Sequence, residues 1–426
     1  MIGVPWLNRR LFPILGTLGL LALGMAGTIW GPRYYGAKAW ATPDDLWATL
    51  TAAQRLWHGD LGGLYTPPTN LVSFPGAAII LVPVVALIDA VGLLITIPGP
   101  PLGANHGVWL LAGCYQTVIS AVVLFTADEI AERLGLSRPK RALLAAAGAI
   151  ALWNVTIRWG HPEDAVATWL LLLAILALSE SRTGRAGWLI GAAVATQPLV
   201  LLALPILIAV IQPRRLPGFL ARSAAPAAVM LAVAAAANWH ATFTAVTKQP
   251  NFPTVDHPTP WLFLAPHLTR NSVAAGPART LAIVVACGCA VALALRWRAR
   301  RRDRPPPQAG WTQDELREIV WWCGVALALR CVFESVMVAY YPWPPLALAL
   351  IAASRSWVRL VIAGSVATTL TFVTQDSWRN TWGWYAMVVV GLAVALWAAS
   401  DWSLRRPAPK QPLPEPGEQF VTDHAP

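Results

Sequence analysis

The run LFPILGTLGLLALGMAGTIW, residues 11–30, carries no charged side chain and follows directly on Arg9-Arg10. A helix rises 1.5 Å per residue, so this stretch matches the roughly 30 Å apolar layer of a bilayer. It is too long for the apolar region of a cleavable signal peptide, and no small-residue cleavage site follows it. Working outward, apolar segments recur at 74–97, 108–126, 142–159, 165–178, 188–211, 219–239, 280–295, 319–339, 346–353, 360–373 and 385–399. The chain is 56% hydrophobic and only 12% charged, where a soluble domain carries about a quarter charged residues. These patterns predict an all-α polytopic membrane protein, one bundle of about 11–13 transmembrane helices over residues 1–404.

The net charge of +11 does not indicate a nucleic-acid partner. Its positive residues gather in clusters beside the apolar segments: Arg9-Arg10, Arg138 to Arg141, Arg182/Arg185, Arg214-Arg215, Arg296 to Arg304, Arg355/Arg359 and Arg405-Arg406. Cytoplasmic loops carry such an excess. Both termini are therefore expected in the cytoplasm, with external loops at 31–71 and 240–276. The Pro-rich, charged tail 405–426 reads as disordered and cytoplasmic. Counting segments puts Arg138–Arg141 outside, whereas their charge puts them inside and His161–Asp164 outside. We follow the charges, since re-entrant segments at 74–97 and at the Gln197-Pro198 break restore the parity. The five cysteines lie in apolar runs without zinc spacing, which predicts neither a metal site nor a disulfide framework.

Thr42-Pro43-Asp44-Asp45 reads as a helix start, with Thr42 as N-cap and Pro43 in the first turn. Leu46, Leu50, Ala53 and Trp57 then fall on one face, the pattern of an amphipathic helix lying in the membrane interface. Capping alone accounts for Asp45, and opposition to the helix dipole for Asp44. Arg158 to Asp164 gathers an arginine, a histidine and two carboxylates at the end of a segment. Pro162 opening a helix, with Glu163 and Asp164 in its first turn, explains them as well as a site does. Arg330 and Glu334 stand one turn apart inside an apolar segment. Each costs ~2.5–3.5 kcal/mol if alone near the bilayer centre, so they are expected to pair and face inward. Tyr340-Tyr341-Pro342-Trp343 reads as an aromatic belt at the interface, and His257 is the residue singled out from the external stretch 240–270.

Asp45-Leu46, the amphipathic helix, His58-Gly59 and Leu64-Tyr65-x-Pro67-Pro68 running on to Phe74-Pro75 resemble the first external loop of the C-fold (GT-C) integral-membrane glycosyltransferases. The nearest resemblance is to family 87, the polyprenol-phosphate-mannose-dependent mannosyltransferases of actinobacteria. Gly160-His161-Pro162-Glu163-Asp164-Ala165 and the Ser181–Arg185 turn fit the same layout. The resemblance implies a lipid-linked sugar donor, mannose first and arabinofuranose second, and a glycolipid or polysaccharide acceptor outside the plasma membrane. It implies Asp45 as general base with Asp44 as the fallback, and no separate cofactor. Glu163, Asp164, His161, His257 and Tyr65 would then contact donor or acceptor, and Arg330, steadied by Glu334, the lipid phosphate. The first loop lacks an Asp-x-Asp pair, so no metal site is assigned. The competing expectation is a transporter or lipid flippase, which calls for an internal repeat with paired broken helices.

Overall fold

The computed structural model describes residues 4–34, 39–40, 44–67, 69, 71, 73–95, 106–302, 311–375 and 380–400. Thr42, Pro43, Pro68, the side chain of Asp44 and the tail 405–426 lie outside the described residues. Among the described residues seventeen α-helices follow one another. The first five are α1 (Val4–Arg9), α2 (Leu11–Tyr34), α3 (Asp44–Trp57), α4 (Pro75–Ile79) and α5 (Val82–Ala90). Next come α6 (His106–Arg133), α7 (Arg138–Trp153), α8 (Pro162–Ser179), α9 (Thr183–Thr196), α10 (Leu204–Ile208) and α11 (Leu216–Ala237). The last are α12 (Trp239–Thr247), α13 (Ala278–Arg302), α14 (Gln313–Phe333), α15 (Trp343–Ala353), α16 (Trp357–Val373) and α17 (Thr381–Ala399). Six of the described helices, α2, α6, α8, α11, α13 and α17, are long and apolar enough to cross a membrane. The protein is thus helical and polytopic, apart from two short antiparallel ladders in which 257–258 pairs with 336–337 and 267–269 with 272–273.

Side-chain contacts sort the loops to two ends. At one end Arg10 and Arg141 share Asp128, Arg133 meets Glu180, Arg215 donates to the Ser181 carbonyl, and Arg359 donates to that of Ser400. At the other end Asp45 meets His161. Arg138–Arg141 therefore share an end with Arg9-Arg10, and His161–Asp164 share one with the start of α3, as the charges require.

Two apolar segments do not form full-length helices. In keeping with a re-entrant segment, the described residues 74–95 form the short helices α4 and α5, which pack on α3 and the first turns of α6 and do not cross the bundle. Pro75 and Pro83 open new helical starts there, because proline tolerates only the first turn. The segment 319–339 ends as a helix at Phe333, and Glu334 caps it in extended backbone.

The chain rises through α9, breaks at Gln197-Pro198 and returns through a 3-10 turn and α10 to Arg215. Proline bars the α conformation from the residue before it, and Gln197 is extended. The apolar stripe of α3 is also used differently from the interfacial expectation. Leu46, Leu50 and Ala53 are fully buried against α4, α5 and α6, and only Trp57 stays exposed.

Candidate functional site

Helix ends converge on one cavity of about 210 Å³. Its polar wall includes Ser73, His161, Glu163, Gln197, Arg279, Arg330, Glu334, Tyr340 and Tyr341, and its apolar wall includes Leu199, Leu201, Leu202, Ala282 and Ile283. Helix ends suit this task because their last backbone groups lack intrahelical partners and their dipoles bias the charge they hold.

The first turn of α8 supplies Glu163 and Asp164, and His161 stands directly before it as N-cap. Before it, α7 widens into a π turn over Asn154–Arg158, and Gly160 adopts φ +66°. A Cβ on Gly160 would stand 2.6 Å from that of Leu46. The glycine thus supplies both the left-handed backbone and the close approach of α3, which brings Asp45 to His161. His161 Nε2 lies 2.9 Å from Asp45 Oδ2, and Nδ1 lies 2.7 Å from Glu163 Oε1. The imidazole stacks on Tyr340, with ring centroids 3.7 Å apart.

Burial alone would strip the proton from His161, but Glu163 and Asp45 outweigh it and hold its pKa well above the usual histidine value. The ring therefore donates to both carboxylates. Burial pushes the Asp45 carboxyl upward, yet the hydrogen bond and charge of His161 bring it below the ordinary aspartate value. Asp45 is enclosed by neighbouring atoms, but 44% of its side chain remains accessible, against 5% for Glu163. It stands beside the cavity, one imidazole away from it. Across the site, burial and then the charge of Asp45 push the Asp256 carboxyl up to about 7.

Behind Glu163, Asp164 Oδ1 accepts 2.6 Å from Gln197 Nε2. Opposite, Glu334 is fully buried and accepts from Arg279 Nε at 2.8 Å, with Arg330 Nε 3.7 Å away. The Arg330 guanidinium lies over Tyr341, 3.6 Å from the ring centroid, a cation–π contact that strengthens as water is excluded. Three atoms of this group, Glu163 Oε2, Asp164 Oδ2 and Arg330 Nη1, are buried with no hydrogen-bond partner among the described residues. These three differ from the other unpaired buried atoms in that they belong to charged groups gathered at one cavity, where a polar ligand has partners to meet.

Of the residues singled out from sequence, Asp45, His161, Glu163, Asp164, Arg330 and Glu334 come together. His257 does not line the cavity; it sits in a two-residue strand and stacks on Trp384 at 3.8 Å. Tyr65 acts one step away, its hydroxyl donating to the Ser73 carbonyl while Ser73 Oγ donates to that of Thr196. The expected Arg330–Glu334 pair exists, but Arg279 is the nearer partner of Glu334. Sequence reasoning passed over Arg279; the signal that marks it is a basic residue at the start of an apolar run, at the end of the bundle opposite the other basic clusters.

Tyr340 and Tyr341 are buried at 8% and 5% exposure, so they form no interfacial belt. A stacked imidazolium and a stacked guanidinium account for their position. Among the described residues no group of three His, Cys, Asp or Glu side chains is arranged to hold a metal ion. No family model matches the chain, and no curated protein matches it in sequence.

Proposed function

We propose that this protein is an integral-membrane glycosyltransferase that moves a sugar from a polyprenyl-phosphate donor to a glycolipid or polysaccharide acceptor. The observation that carries the reading is the division of one site. An accessible carboxylate held ionised stands on one side, and two guanidinium groups stand on the other, beside an apolar wall. The resemblance of the Asp45–Pro75 stretch supports the same class, and favours mannose over arabinofuranose.

The chemistry needs little else. Asp45 takes the proton of the acceptor hydroxyl as that oxygen attacks the anomeric carbon. The bond from the anomeric carbon to phosphate oxygen breaks, and its electron pair leaves with the phosphate. A singly charged phosphodiester thereby becomes a monoester with a second negative charge. Arg279 and Arg330, with one charge offset by Glu334, stabilise the charge that develops. The apolar residues Leu201, Leu202 and Ile283 accept the first isoprene units. Asp45 suits the base role better than Glu163 because an acceptor can reach it. The site then faces outward from a plasma membrane, with both chain ends cytoplasmic.

The test is direct. Membranes containing the protein, supplied with labelled polyprenyl-phosphate sugars, should transfer label to an endogenous or added glycan acceptor. The Asp45→Asn variant should fold and bind donor yet transfer almost nothing. Full transfer by that variant overturns the assignment of the base. Movement of donor across vesicles without transfer favours the transporter instead.

A further inference from the structure

We infer that His161 is a positioning residue, the side chain that fixes the base Asp45 relative to the donor cavity. This rests on the transferase reading above. Geometry carries it: the imidazole forms part of the cavity wall, and its far nitrogen holds the carboxylate standing outside that wall.

Each bond of the ring has a separate consequence. Nε2–H fixes the rotamer of Asp45, whose side chain is otherwise accessible. Nδ1–H is anchored on the buried Glu163, and the Tyr340 ring covers one face of the imidazole. A ring held on both edges and one face cannot turn, so neither can the carboxylate it carries.

The charges lead to the same role. Groups facing His161 come from several elements: Asp45 of α3, Glu163 and Asp164 of α8, Tyr340 before α15, and Asp256 from the loop before α13. Arg330 of α14 faces the same acidic group through Asp164. With His161 protonated, Asp45, His161 and Glu163 together carry one negative charge before transfer. They carry none once Asp45 has taken the acceptor proton. That loss matches the negative charge gained by the departing phosphate, so the site's net charge is unchanged by the reaction. With a neutral residue at 161, the same step would start from two uncompensated carboxylates, with Asp256 close by. Asp45 would then take up a proton at higher pH than in the wild type and be held less firmly as a base. A neutral imidazole has one N–H and cannot donate to both carboxylates, so loss of the ring proton also releases one anchor.

The experiment is a pH–rate profile with a labelled polyprenyl-phosphate sugar for wild type, His161→Gln and Glu163→Gln. His161→Gln keeps a donor near Asp45 and removes the charge. Its kcat should fall on the order of tenfold or more, with donor KM little changed. Its acid limb should move up by about one to three pH units, the effect of removing an adjacent opposite charge. Glu163→Gln should move the alkaline limb down, because the imidazolium loses one of its two carboxylates.

Profiles that keep the wild-type limbs in both variants, even at lower kcat, reduce His161 to a structural residue and overturn the inference. So does a rise in donor KM at unchanged kcat, which makes the ring a substrate contact. Should His161→Gln fail to fold, the alkaline limb of Glu163→Gln decides alone. Asp45→Asn separates the two ideas. If wild type turns over and that variant does so equally well, the base assignment has failed. If that variant is inactive and the limbs of the other two stay put, only the inference about His161 has.

Discussion

Two clusters of buried charge stand at opposite ends of the bundle and are built to different rules. At the basic end Asp128 accepts two bonds from Arg141, at 2.7 and 2.6 Å, and one from Arg10 at 2.8 Å. Arg10 also pairs with Glu129 and Glu132, and Arg141 Nη2 donates to the Arg9 carbonyl. The cavity beside this network is about 20 Å³, and no side-chain atom of Arg10, Arg141, Asp128, Glu129 or Glu132 is buried without a partner among the described residues.

At the other end the cavity is tenfold larger, and carboxylate and guanidinium atoms stay unpaired beside it. A buried charge short of partners costs free energy. The closed network shows that this chain can satisfy such groups, so the open one is a property of its site. One cluster joins helices, and the other holds charge ready for a ligand.

Substitutions sharpen that contrast, from the largest effect down. Asp45→Asn should lower kcat by about 10²–10⁴-fold, the usual worth of a general base, with little change in melting temperature. An equal loss of stability and activity would erase the distinction between the two ends. Asp128→Asn should do the opposite. Leaving Arg10 and Arg141 short of their shared carboxylate costs ~3–5 kcal/mol, read as thermal stability in detergent, while kcat of the remaining folded protein stays at wild type.

Arg279→Gln should raise donor KM by roughly 10–100-fold, the loss of a charge-assisted bond of about 1.5–3 kcal/mol. An unchanged KM would remove Arg279 from the phosphate site. Gly160→Ala combines a positive φ with a clash against Leu46. It should cost ~1–3 kcal/mol and lower kcat by parting Asp45 from His161.

The smallest effect belongs to Asp256, whose folded pKa of about 7 lies above its unfolded value. The folded state holds that proton more tightly, so its ionisation penalises folding as pH rises from about 4 to 7. Asp256→Asn should therefore gain stability relative to wild type at pH 8 and not at pH 4, by about 1 kcal/mol at this half-buried position, where solvent screens part of the charge. A gain that is the same at both pH values would show that the charge of Asp256 is not its cause.

Much of this site was legible as parts. Glu163 and Asp164 stand out behind Pro162, and Arg330 stands out because a charge inside an apolar run is costly. Their neighbours were not legible. Asp45 and His161 are 116 residues apart, and nothing in either segment names the other. Arg279 and Glu334, 55 apart, meet only because α13 and α14 pack together. What covers the apolar stripe of α3 was not legible for a related reason. An amphipathic stripe shows that a helix covers something apolar, but not whether that is lipid or protein.

Residue order alone sets the helical, membrane-crossing class, because apolar runs of bilayer length have few other stable states in water or lipid. It also determined which loops share an end, since charge clusters follow the membrane's bias whatever the packing. Tertiary structure alone decided which charges became partners. Pairing depends on crossing geometry between distant helices, on one glycine that lets α3 approach, and on a proline break that turns Gln197 inward. Those contacts separate two acidic clusters of similar composition into a strut at one end and a candidate active site at the other.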